Sequence, residues 1–344
     1  MTCQHNADLS QCNTLGIPSQ AEYLVDIDQD DQIPAWVAWA QQRQLALRVL
    51  GGGSNLLVDH QVDGLVLAMK TRGRHVVGQD AAGRTLWRLA AGENWHQSVV
   101  ASVEAGLSGL ENLALIPGSV GAAPIQNIGA YGVEVADHLY QVDAYDCLAH
   151  QWVQLHAEEC QFGYRDSLFK QHENRYIITA VTLALSTAFE PKLSYGPLQA
   201  LAQHPNLDAR TVMQAVIAQR QAKLPDPTEL PNAGSFFKNP LVSPADYQRL
   251  ITQWPNLVAY SVEGGWKLAA GWLIDQCGLK GQANEAGVGC YREQALVLVN
   301  PSHAPYAQVA AWQAQVQQAV WQRFGVQLER EPRYWGAAGD GNFQ

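Results

Sequence analysis

At 344 residues the chain exceeds one ordinary hydrophobic core and implies two or three domains. With 47% hydrophobic and 16% charged residues it has the balance of a globular protein, not a disordered one. A net charge of −10 without any basic run argues against a nucleic-acid surface, although a few placed cations can still hold an anionic small molecule.

The opening "MTCQHNADLSQCNTLG" lacks the basic and apolar regions of a secretion signal, and no run approaches the ~18 apolar residues of a membrane span. A soluble, cytoplasmic protein is expected. "LALRVLGGGSNLLV" (45 to 58) reads as strand, glycine turn, strand, and "GLVLAM" and "TLWRLAAG" as further strands. "ENWHQSVVASVEAGL" repeats Trp95, Val99, Val100, Val103 and Leu107 at helical spacing, with Gly106 near its end. Residues 108 to 132 are rich in Gly, Ala and Pro and too irregular for one helix. "YQVDAYDC" and "YIITAVTLALS" return to strand character, so the first half is strand-dominated.

The character changes after Ser186. "TVMQAVIAQRQAKLPDP" predicts a helix stopped at Pro225. "EGGWKLAAGWLIDQCG" predicts another, with Trp266, Ala269, Ala270, Leu273, Ile274 and Cys277 on one face and Gly278 as its cap. "ALVLVN" predicts a buried strand, 304 to 324 a long helix and "VQLEREPRY" a last strand. The six cysteines, Cys3, Cys12, Cys147, Cys160, Cys277 and Cys290, show no C-x-x-C pair and no zinc-spaced histidine. Reduced thiols and no metal site are expected.

Five stretches carry chemistry, one of them "LEREPRY", where Glu329 and Glu331 alternate with Arg330 and Arg333 as they also would on an exposed strand edge. In "LGGGSN", Gly51, Gly52 and Gly53 can turn main-chain N–H groups toward an anion, with Ser54 and Asn55 as added donors, although a tight hairpin has the same composition. In "IPGSVGAAPIQNIGAYG", the small residues Gly118, Ser119, Gly121, Ala122 and Ala123 permit a dinucleotide to approach the backbone, and Gln126 and Asn127 offer amides. In "FGYRDSLFK", Arg165 among apolar residues needs a carboxylate, either Asp166 or a ligand's. In "PNAGSFFKNP", Ser235 lies between Gly234 and two phenylalanines, either as a packed turn or as a hydroxyl held for use.

Together with "NTLGI", "AGENWH", "LSYGPL", "KLPDP" and "KLAAGWLIDQCGLKG", these stretches closely resemble the UDP-N-acetylenolpyruvoylglucosamine reductase family, in order, from about residue 14 to 334. "LSYGPL" matches the form with a substrate-covering tyrosine loop. The resemblance implies an α+β fold: FAD bound by two subdomains of the p-cresol methylhydroxylase type over 14 to 186, a tyrosine-loop connection over 187 to 210, and a substrate-binding domain over 211 to 344. It implies that NADPH reduces FAD and that a hydride then passes to UDP-N-acetylglucosamine enolpyruvate. Gly51, Gly52, Gly53, Ser54, Asn55, Gly118, Ser119, Gly121, Ala122 and Asn127 are the expected FAD contacts. Arg165 and Glu331 are expected to stabilise the enolate. Ser235 is expected to donate the proton from a dry site.

The same resemblance assigns Tyr195, Lys223 and Asn239 to the UDP diphosphate. Arg220, one turn before Lys223, joins them by helical spacing, and Tyr131 is a further wall residue. The expected protein is a monomer with no nucleic-acid or membrane partner. Two departures stand out: Cys290 and Tyr291 replace the family's valine and histidine, and Arg330, not proline, precedes Glu331. Glu331 is preferred to Glu329 because Glu331-x-Arg333 keeps the family spacing. An oxidase of the same fold and a non-catalytic flavin or sugar-nucleotide binder are the alternatives. The oxidases often tether FAD through a histidine, which "LGGGSN" lacks, and a binder needs no proton donor.

Overall fold

The computed structural model describes residues 2 to 336; the last eight residues of the expected substrate-binding domain lie outside that range. The amino-terminal sheet runs in the order Gln4–Asp8, Gln20–Ile27, Gln61–Met69, Leu47–Leu50, with parallel pairing between the last three strands. The apolar run in Gln61–Met69 follows from burial on both faces. Leu65, Leu67 and Met69 enter one core with Ile33, Trp36, Val37 and Ala40, while Val62, Val66 and Ala68 enter another with Phe236, Val309 and Trp312. The first of these layers is helix Ile33–Gln42, which the sequence reading did not anticipate although its buried positions recur at helical spacing. The second comes from the carboxyl-terminal part of the chain.

The middle of the chain forms a five-stranded antiparallel sheet, ordered Gln151–His156, Leu139–Asp146, Tyr176–Leu185, Thr85–Ala90, Arg74–Gln79. Helix Trp95–Glu104 covers it, capped by Asn94, whose side chain accepts from the Gln97 N–H at 2.9 Å. Helix Ala209–Lys223 begins at Asp208, which accepts from the Thr211 N–H at 2.7 Å. Its Val212, Met213 and Val216 lie in the same core as Val99, Val142 and Val181, so this helix packs with the middle sheet.

The segment expected as one helix from Glu263 to Gly278 is divided. Ala259–Val262 and Gly265–Leu268 form a hairpin around Glu263 and Gly264, and only Ala270–Gln276 is helical. The two-residue glycine turn overrides the helical spacing of Trp266, which sits on a strand and stacks on Tyr247 at 3.7 Å. The last strand is shorter than expected: Arg333–Trp335 pairs in parallel with Leu56–Val58. This return brings the end of the described chain beside the first glycine loop.

Candidate active site

One cleft lies where the two glycine-rich loops, the Arg165 turn and the carboxyl-terminal segment converge. The loops are pressed backbone to backbone. A Cβ on Gly52 would lie 2.7 Å from Gly118 Cα, and Ser54 Oγ donates to the Pro117 carbonyl at 3.1 Å. Gly53 has φ +63°, and a Cβ there would fall 1.8 Å from the Cys12 carbonyl oxygen. Loop packing alone therefore demands part of the glycine run. The Gly53→Ala protein is expected to lose at least about 1–2 kcal/mol from the left-handed backbone, plus the clash, which thermal unfolding and flavin content would register together. An alanine variant with unchanged melting and flavin binding would contradict the packing argument.

The main-chain N–H groups of Gly52, Gly53, Ser54 and Asn55 have no hydrogen-bond partner among the described residues. Four consecutive free donors in a glycine turn suit a pyrophosphate. Across the cleft, Ser119, Gly121 and Ala122 line the second loop, with Val49, Leu50, Trp95 and Ile178 as apolar wall. This is the donor set and shape that a flavin dinucleotide requires.

Arg165 occupies a left-handed backbone position, φ +54°, inside a tight turn closed by Gly163 and Asp166. Its Nε lies 3.3 Å from Glu331 Oε1, and its Nη2 donates to the Gly129 carbonyl at 2.9 Å. Asp166 accepts instead from Gln171 Nε2 at 2.9 Å. Of the two carboxylates the sequence offered near the end of the chain, Glu331 faces the cleft with its side chain 11% accessible, whereas Glu329 is 70% accessible and pairs with Lys238. Burial pushes the Glu331 carboxyl above its usual range, and Arg165, Lys170 and Lys238 pull it back.

Ser235 reaches the same cleft by strand pairing. The Phe236 carbonyl accepts from the Glu331 N–H at 2.9 Å and the Lys238 N–H donates to Glu329 at 2.9 Å, so residues 236 to 238 run beside 329 to 331. Phe236 and Phe237 turn into the carboxyl-terminal core, edge to face at 5.1 Å, and anchor the segment without enclosing the serine. Ser235, which pairs with Val297 at the end of strand Asn232–Ser235, is exposed to the cleft, and its hydroxyl makes no hydrogen bond among the described residues. Gly234, φ +66°, donates to Asn232 Oδ1 at 2.9 Å, which holds the bend just before it.

A UDP-N-acetylenolpyruvoylglucosamine reductase of Bordetella pertussis is 49% identical, covering 94% of this chain and 93% of its own. That of Pseudomonas putida is 45% identical over 96% and 98%. The chain belongs to the UDP-N-acetylenolpyruvoylglucosamine reductase family. The family model for the reductase's C-terminal domain matches residues 226–335, and one for an FAD binding domain matches residues 21–149. The crystal structure of the reductase from Thermus caldophilus has the same fold, with a TM-score of 0.67 at 25% identity, over 97% of this chain and 98% of that one. The α+β architecture and the FAD-binding domain are thereby those of the reductase family.

Within this frame the remaining expected residues divide. Arg220 lines the cleft and its Nε donates to the Leu115 carbonyl at 3.3 Å, while Lys223, one turn later, is exposed outside it. Asn127 is buried and does not line the cleft: its side chain donates to Glu134 at 2.6 Å and to the Gly163 carbonyl at 3.2 Å. It shapes the Arg165 turn instead. Gly118 lies behind the lining, under Gly52. Tyr131 and Tyr195 meet edge to face at 5.5 Å, with Tyr195 46% accessible. Asn239 Oδ1 accepts from the Ala270 N–H at 2.9 Å, at the start of helix Ala270–Gln276. Gln126, expected to offer an amide, lines the cleft, and so does Lys170, which the sequence did not single out. Lys170 Nζ donates to the Arg165 carbonyl at 2.8 Å. "FGYRDSLFK" contains it, five residues after the arginine, but a lysine on a four-residue helix carries no periodic signal.

Buried Cys290 pairs in strand Gly289–Cys290 with Val297–Val299, and its thiol is pushed up to about 11 by burial. This replacement sits in the core and leaves the cleft intact.

Proposed function

We propose that the protein reduces UDP-N-acetylglucosamine enolpyruvate to UDP-N-acetylmuramate with NADPH, a step in making peptidoglycan precursors. The observation that carries the reading is the convergence of Arg165, Glu331 and Ser235 on the cleft that the two glycine loops line. FAD, when bound, supplies the hydride chemistry between NADPH and the enolpyruvyl group. The free N–H groups of 52 to 55 would hold its pyrophosphate, and Ser119, Gly121 and Ala122 would admit it close to the backbone.

Arg165 keeps its guanidinium fixed by the Gly129 carbonyl and Glu331, so a substrate carboxylate meets an oriented cation without further ordering. As the enolpyruvyl group becomes enolate-like, that cation gains interaction with the developing charge. Ser235 Oγ gives the proton to the carbon that carries the carbanion character. A serine hydroxyl is a weak acid, so this transfer works against a strongly basic carbon or through a relay. Arg220 supplies a further cation for the anionic sugar nucleotide. Tyr195, Lys223 and Asn239 are assigned to the diphosphate and Tyr131 to the wall. Six free cysteines suit a reducing compartment, which supports a cytoplasmic site of action; we take the working form to be the monomer.

Anaerobic addition of NADPH to the purified flavoprotein should bleach the flavin band, and UDP-N-acetylglucosamine enolpyruvate should restore it. A flavin that bleaches but is reoxidised only by dioxygen would point to an oxidase.

A further inference from the structure

The sequence offers the Gln126 amide to a ligand, but in the fold that amide joins three segments far apart in sequence. Asn55 Nδ2 donates to Gln126 Oε1 at 2.7 Å, and Gln126 Nε2 donates to Glu331 Oε1 at 3.3 Å. Asn55 is also tied to the last strand, since its carbonyl accepts from the Arg333 N–H at 3.0 Å. A carboxamide has one accepting and one donating end. With its oxygen taken by Asn55, Gln126 can offer Glu331 only its N–H.

Arg165 Nε approaches the same oxygen, Oε1, at 3.3 Å. Glu331 Oε2 has no protein hydrogen bond among the described residues, and it is not one of the buried atoms that lack a partner, so it keeps access to the cleft that Glu331 lines. The two oxygens of one carboxyl group are therefore unlike: one is held by two donors and the other is open.

We propose that Gln126 is a positioning residue that holds Glu331 Oε1 as an acceptor and leaves Oε2 as the oxygen that carries the carboxyl proton and donates it in a hydrogen bond to the enolate oxygen, while Ser235 Oγ protonates the carbon. The inference rests on the reading of Glu331 as the partner of the substrate enolate. The groups that face Glu331 are Arg165 and Tyr164 from the Arg165 turn, Lys170 from helix Leu168–Gln171 and Lys238 from the segment paired with it. Gln126 adds the uncharged donor to that set, and it reaches Glu331 only through the orientation that Asn55 imposes.

The test uses the Gln126→Met protein, whose side chain has similar length and no N–H. With [13C]glutamate labelling, the carboxyl resonance that disappears in Glu331→Gln is followed through pH. Loss of one donor to a charged acceptor should raise the Glu331 midpoint by about one pH unit or more. The corresponding limb in the rate of flavin reoxidation by the enolpyruvyl sugar should move with it. An unmoved midpoint in a folded Gln126→Met protein overturns the proposal. Should that variant fail to fold, Asn55→Leu tests the same point without adding a charge: the amide loses the donor that fixes its oxygen, so the midpoint must again rise, and an unmoved one overturns it. If Glu331→Gln leaves the pH limb of reoxidation in place, the reading of Glu331 itself fails, which is a separate result.

Discussion

The Ser235→Ala protein is expected to be bleached by NADPH at the rate of the parent and then to stay reduced when the enolpyruvyl sugar is added. Removing a positioned proton donor costs about 10²–10⁴-fold in the step that uses it. The structure explains why the loss should be confined to that step. The Ser235 hydroxyl makes no hydrogen bond among the described residues and so supports nothing else, and the chain around it is fixed by the pairing of Ser235 with Val297, by Phe236 and Phe237 and by the pairing with 329 to 331. Melting temperature and flavin content should therefore be unchanged. Stopped-flow absorbance resolves the two half-reactions. Equal slowing of both would mean that the serine positions a ligand common to them, and an unslowed reoxidation would remove Ser235 from proton transfer.

The local signals in the sequence reached the fold where one segment decides its own structure. Trp95, Val99 and Val103 mark a helix because their spacing is helical and Asn94 caps it, and the structure has that helix. The reading failed where partners elsewhere decide. Trp266 and Leu273 fit one helical face, yet Gly264, at φ +76°, turns the chain into a hairpin, and Gly265–Leu268 then pairs with Ala259–Val262 on one side and Leu241–Val242 on the other. Asn127 and Gln126 are neighbours in a loop and chemically alike, and the amide one position apart enters the cleft while the other is consumed by Glu134 and Gly163. No spacing rule separates them. The Asn55, Gln126 and Glu331 chain spans most of the sequence, so it exists only once the last strand has returned to the first glycine loop.

Arg165→Met should strongly slow reoxidation of the flavin by the enolpyruvyl sugar while leaving the flavin loops untouched. Removing one donor to a developing oxyanion costs about 10²–10³-fold, and here the same side chain also orients Glu331. Among the cations that hold the Glu331 carboxyl down, Arg165 acts most strongly; without it, burial prevails and the carboxyl takes up a proton at higher pH than in the parent. The variant therefore lacks the oriented cation and carries Glu331 neutral over a wider range. Stability should suffer less than activity, because a protonated Glu331 is no longer a buried charge without a partner. The contrast with Arg165→Lys is informative. Lysine restores a positive charge but cannot reach the Gly129 carbonyl, the Asn127 carbonyl and Glu331 together, as the guanidinium does. Reoxidation of the reduced flavin by the enolpyruvyl sugar should stay well below the parent in both variants, with the pH limb assigned to Glu331 displaced upward only in Arg165→Met. Full activity in Arg165→Lys would show that charge alone suffices and that the fixed orientation of Arg165 has no role in the reaction.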